Sequence, residues 1–128
     1  VASRSTETIL TAMKQHDVDR VVMGSVGGIP TPQDERGLLG KVVGSVLKLL
    51  LHDMYADREE QLRLLRESGL DWVALRLPRL TDDPPTGDYE LGYSVSPGFK
   101  ASRADVATAM LDQLTDDKYV GHAPIISP

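Results

Sequence analysis

One stretch constrains this chain more than any other: EEQLRLLRESGLDWVALRLPRLTDDPPTG, residues 59–87. Its first third has helical spacing, with Leu62 and Leu65 on one stripe and Tyr55 and Arg58 on the same stripe in the preceding turns. Glu59 and Arg63 stand at i and i+4 with the acid N-terminal, the favourable orientation for a helical pair. Gly69 predicts the stop, because a glycine at that point takes the left-handed conformation without a Cβ clash and lets Leu70 fold back on Leu65. The following LDWVALRLP is apolar on both parities, which predicts a parallel strand buried under helices on both faces. Pro78 ends that strand, and PRLTDDPPTG reads as loop. The unit is the second half of a βαβ crossover.

Upstream, residues 3–16 read as a helix capped by Ser3 or Ser5, with Glu7 in the first turn and Ile9, Leu10 and Met13 on its apolar face. Asp17 occupies a turn position where a glycine fits more easily. Residues 18–23 predict a buried strand running into Gly24-Ser25-Val26-Gly27-Gly28, followed by a surface loop over 29–37. An apolar helix over 38–54 then jogs near His52-Asp53 into the 55–68 helix. Strands 18–24 and 71–77, separated by helical material, belong side by side and parallel in one sheet. Downstream, Tyr89, Leu91, Tyr93 and Val95 alternate as in a half-buried strand. Ser102 caps a last helix, with Asp105 at the third position, and Val106, Met110, Leu111 and Leu114 form its expected buried stripe. Residues 119–126 predict a short final strand.

At 128 residues the chain is long enough to bury a real core. Fourteen Lys+Arg against 19 Asp+Glu give a net charge of −5, and the basic residues are scattered, which argues against a nucleic-acid surface. Without cysteine there is no disulfide or thiol nucleophile. No apolar run approaches a membrane span, and VASRSTET lacks the apolar segment of a signal peptide, so a cytoplasmic protein is expected. Val1 in place of an initiator methionine points to a processed, tagged or incomplete piece.

In open α/β sheets ligands bind beyond the carboxyl ends of parallel strands. Two loops fall there: residues 24–28, with Ser25 offering a hydroxyl, and 78–81, where Arg79 offers a fixed positive charge suited to phosphate or carboxylate.

The segments TILTAMKQHDVDRVVMGSVGG, ADREEQLRLLRESGLDWVALRLPRLTDDPPTGDY and SRADVATAMLDQLTDDKYVGHA together resemble the atypical short-chain dehydrogenase/reductase group, nearest its flavin reductase/biliverdin-IXβ reductase branch. The resemblance implies an α/β fold, here the C-terminal part of a Rossmann-type doubly wound parallel sheet, as one partial NAD(P)-binding domain over residues 1–128. It implies NADP or NAD as cofactor and a flavin or other small molecule as hydride acceptor. Ser25 falls on the group's active-site serine beside the nicotinamide. Met23, Pro78, Arg79 and Leu80 fall along the cofactor site, Arg79 standing where the nearest branch has histidine. The glycine-rich G-x-x-G-x-x-G turn that opens such proteins is absent, which is expected to leave the fragment inactive alone and prone to self-association through an exposed sheet edge. A non-catalytic dinucleotide sensor or interaction module of the same fold is the alternative.

Tyr55 and Arg58 do not reproduce the Tyr-x-x-x-Lys pair of ordinary short-chain dehydrogenases, because the residue four after Tyr55 is Glu59. Tyr55 is expected to pack, and His16, His52 and His122 are too scattered to hold a metal.

Overall fold

The computed structural model describes residues 2–26, 37–50, 52–94 and 99–127. Elements follow in the order α1 (Ala2–Gln15), β1 (Arg20–Val26), α2 (Leu38–Leu50), α3 (His52–Glu67), β2 (Asp71–Leu77), β3 (Arg79–Thr81), β4 (Glu90–Gly92), β5 (Lys100–Ser102), α4 (Arg103–Asp112) and β6 (Ile125–Ser127). The main sheet has the order β1-β2-β6-β4. β1 and β2 are parallel over their whole length, from Arg20 opposite Asp71 to Val26 opposite Leu77. β6 joins β2 in parallel at Arg76 opposite Ile125, and β4 closes the far edge antiparallel to β6.

The doubly apolar strand behaves as its composition demands. Trp72 and Ala74 pack with Leu10, Met13, Tyr55, Leu62 and Leu65 of α1 and α3 on one face. Val73 and Leu75 pack with Val106 and Ala109 of α4 on the other. The fold is therefore α/β, a partial Rossmann-type dinucleotide-binding fold. Gly69 takes φ +73° after α3 and Asp17 takes φ 55° after α1, both as the turn chemistry requires. α2 and α3 lie on either side of residue 51, which is outside the described residues, and the jog expected near His52-Asp53 falls at the start of α3.

Several local expectations are corrected. α1 is already helical at Ala2, and Ser3 does not cap it; its amide and hydroxyl, with the Ala2 amide, go to the Asp57 carboxylate of α3. Glu7 accordingly lies past the first turn. Ile9 is 44% exposed, and Thr6 takes its place on the buried face. β1 starts at Arg20 rather than at 18, because Val18 still belongs to the turn through its amide bond to the Met13 carbonyl. Arg79–Thr81 is strand, not loop: it pairs in parallel with Lys100–Ser102. On α4, Val106 is buried, but Leu111 is 66% exposed and Leu114 lies beyond the helix; Asp105 and Ala109 complete the inner face. Residues 119–124 are turn and a single bridge, His122 to Val73, before β6. Tyr89, Leu91 and Tyr93 do pack on the α4-side cluster, whereas Val95 lies outside the described residues.

Candidate functional site

Parallel pairing of β1 and β2 brings the two expected segments to the same end of the sheet, although residues 24–26 continue strand β1 rather than forming a loop. Ser25 is opposite Arg76, two residues before Pro78. Gly27, Gly28 and residues 29–36 lie outside the described residues. Residues in register on parallel strands share a face, so Met23, Ser25, Ala74 and Arg76 all look toward α1 and α3.

Ser25 is 4% exposed, and its hydroxyl has no hydrogen-bond partner among the described residues. A buried hydroxyl normally costs stability unless a partner completes its bonding. Beside it Arg76 is wholly buried, and its Nε donates to the Ala123 carbonyl at 2.7 Å. Met23 is half-buried; its sulfur accepts from Thr6 Oγ1 at 3.6 Å and Gln61 Nε2 at 3.8 Å. Pro78 is half-buried at the exit of β2, and Arg79 is exposed. Leu80 packs into the α4-side cluster, away from the Ser25 face. Gly24 has a packing reason: a Cβ there would meet Leu77 Cδ1 at 3.1 Å.

α1, α3 and α4 all begin at this carboxyl end, and their N-termini direct positive partial charge toward it. Two of these termini are already filled. Asp57 closes α1, and its carboxyl is held well below the usual carboxylate range, first by the Ser3 hydroxyl and then by the Ser3 and Ala2 amides. Ser102 caps α4, and Asp105 beside it accepts from the amides of Thr86 and Gly87 at 3.0–3.2 Å. Those amides, Thr86 first, lower the Asp105 pKa against the opposing effect of burial. The N-termini of α1 and α4 are therefore closed to a pyrophosphate. Ser25, Met23 and Pro78 lie together at the carboxyl ends of β1 and β2.

Along the outer edge of β1 runs an open cleft of about 730 Å³, lined on one side by Thr6, Ile9, Met54 and Gln61 and on the other by Val22 and Met110. The Asp19 carbonyl accepts from Asp71 at 2.9 Å, so odd-numbered residues of β1 turn their backbone toward β2. Val22 and Gly24 consequently direct their backbone N–H and C=O into the cleft, where β1 has no strand neighbour among the described residues.

Sequence reasoning missed Asp57, the bonding of Asp105 and the burial of Arg76. For Asp105 the signal was present, since T-G and S-R-A-D stand in the two segments that meet around it. Tyr55 is 2% exposed within the α1/α3 core, in keeping with packing. Among the described residues there is no group of metal-ligating side chains, and no helix is long and apolar enough to cross a membrane.

Comparison with solved structures returns the same architecture. A Rossmann-fold NAD(P)-binding family protein from Shigella flexneri is 25% identical, with a TM-score of 0.68 over 98% of this chain and 54% of that one. A short-chain dehydrogenase/reductase from Veillonella parvula, solved in complex with NADP, is 22% identical with a TM-score of 0.72, covering 98% and 58%. ChuY, an anaerobillin reductase from Escherichia coli O157:H7, is 16% identical with a TM-score of 0.76, covering 98% and 57%. The chain thus spans little more than half the length of these relatives. A family profile described as NAD(P)H-binding matches residues 2–117, and the chain belongs to that NAD(P)H-binding family.

Proposed function

We propose that residues 1–128 form the acceptor-side portion of an NAD(P)H-dependent oxidoreductase of the flavin-reductase type. The single observation that carries this reading is the buried Ser25 hydroxyl, without a hydrogen-bond partner among the described residues, at the carboxyl end of a parallel strand. Bound NADPH or NADH would supply a hydride to a flavin-like or other small acceptor, the balancing proton coming from solvent. The protein's part is to orient the two rings and exclude water. Ser25 donates or accepts one hydrogen bond at the reacting face. Met23 and Pro78 border the nicotinamide, while Arg79 and Leu80 lie further along the cofactor site. Tyr55 has no role as proton donor in this scheme, since it is buried among core side chains.

The test is Ser25→Ala in the full chain, assayed by NADPH oxidation with riboflavin. Loss of one hydrogen bond costs on the order of 1 kcal/mol, so turnover should fall by about fivefold while folding is nearly intact. An unchanged rate would leave Ser25 as a turn residue. Dinucleotide binding by the full chain without turnover of any acceptor would favour the sensing module instead.

A further inference from the structure

α2 differs from the other three helices in what it shows to solvent. Its sequence, LLGKVVGSVLKLL, carries two lysines and no Asp or Glu, whereas α1, α3 and α4 each include at least one carboxylate. Leu38 and Leu49 are each 81% exposed, and Val42, Val46 and Leu50 are exposed with them. At about 3.6 residues per turn these five positions share an arc of roughly 120° on one side of the helix. Lys41, also exposed, stands beside that arc, and Lys48 follows it two turns later at nearly the same angle.

Scattered exposed leucines are ordinary on a protein surface; five large apolar residues on one arc of a 13-residue helix are not. An apolar arc bordered by lysines is the pattern of a helix that lies in a bilayer interface, with leucines and valines among the acyl chains and lysine stems reaching the headgroups. At ~20 Å, α2 is shorter than the roughly 30 Å hydrocarbon core, so it would lie along a membrane instead of crossing one. Charge decides between lipid and a second copy of the chain. A twofold pairing of α2 with itself would bring two basic helices together with no carboxylate on either. An anionic lipid surface complements such a helix. It repels the remainder of a chain whose net charge is −5, which leaves α2 as the side presented to it.

We infer that α2 is a peripheral membrane anchor, whose exposed face of Leu38, Val42, Val46, Leu49 and Leu50 docks on an anionic bilayer with Lys41 at the headgroups. Just beyond α2 in the chain, Asp53 and Met54 of the first turn of α3 line the cleft beside Met23 and Gly24. Docking therefore brings that end of the cleft within a few residues of the lipid surface. It does not depend on which acceptor the chain reduces.

Co-sedimentation of the full chain with phosphatidylcholine vesicles, with and without about one-third phosphatidylglycerol, tests this. The wild type should bind the anionic vesicles, and bind less to neutral ones or at high salt. Leu49→Glu changes an exposed side chain, so the fold should stand. It should lower the partition coefficient by about tenfold or more, the effect of withdrawing one leucine from the apolar phase. Lys41→Gln should lower binding to the anionic vesicles by about fivefold and change binding to the neutral ones by less than about twofold. A wild type that sediments with neither vesicle overturns the inference, as does equal binding to both or binding that Leu49→Glu leaves unchanged. A lipid-free dimer that Leu49→Glu converts to monomer overturns it too, because a second copy would then cover α2.

Discussion

β1 and β2 are neighbours in one sheet, equal in length and similar in composition, yet their surroundings differ. From Trp72 to Arg76 every side chain of β2 is buried, enclosed by α1 and α3 above, α4 below, and a strand on each side. Among the described side chains of β1 only Val21 and Ser25 fall in that class, and the backbone of Val22 and Gly24 opens on the cleft. The difference teaches where the described residues are self-sufficient. Around β2, helices and strands answer every apolar position. Along β1 an apolar strand presents hydrogen-bonding groups that no described residue meets, which is the situation in which sheet edges recruit other chains.

The sharpest way to break this comparison is to truncate one side chain on each side of it. Leu65 is wholly buried against β2, so Leu65→Ala should cost ~2–5 kcal/mol by urea unfolding. Ile9 lines the cleft and is 44% exposed, so Ile9→Ala should cost less than about 1 kcal/mol. Equal losses would mean the cleft is as well packed as the core.

The open edge has a second consequence. Residues 1–128 on their own should self-associate and bind NADPH weakly, and Val22→Lys should shift sedimentation toward the monomer by placing a charge beside the edge. A stable monomer that binds NADPH tightly and stoichiometrically would refute the account of the edge.

Acid separates the two helix-terminal carboxylates from the apolar core. The folded-state pKa values of Asp57 and Asp105 are both lowered. A depressed carboxylate stabilises the fold above its unfolded pKa, about 4, and that contribution disappears as pH falls through the folded value. Asp57→Asn should therefore be less stable than the wild type near neutrality, and the gap should narrow progressively below about pH 4. Urea midpoints at several pH values measure it; a gap that does not change with pH would contradict the assigned cause.

The smallest effect is expected at Arg79, which is exposed at the exit of β2. Arg79→Ala should change stability by no more than about 0.5 kcal/mol. It should raise the Michaelis constant for an anionic acceptor or for the dinucleotide. If both constants hold, the guanidinium is only a solvated surface charge.

Local chemistry made much of this protein legible in the sequence. The continuous apolar run at 71–77 dictated a strand covered on both faces, and that requirement implied helices on either side. Gly69 and Asp17 marked helix ends because backbone conformation at those points depends on one residue. Ser25 at a strand end was visible as a candidate from its position alone. Other features depended on partners distant in the chain. Nothing near Asp57 announces that it will close a helix 54 residues earlier, and nothing local marks Arg76 as wholly buried. The exposure of Leu111 was equally hidden, because helical periodicity gives a face but not the width of what covers it. Short strands such as Arg79–Thr81 exist only because Lys100–Ser102 lies alongside, and a three-residue pairing has too little intrinsic preference to show before the chain has folded.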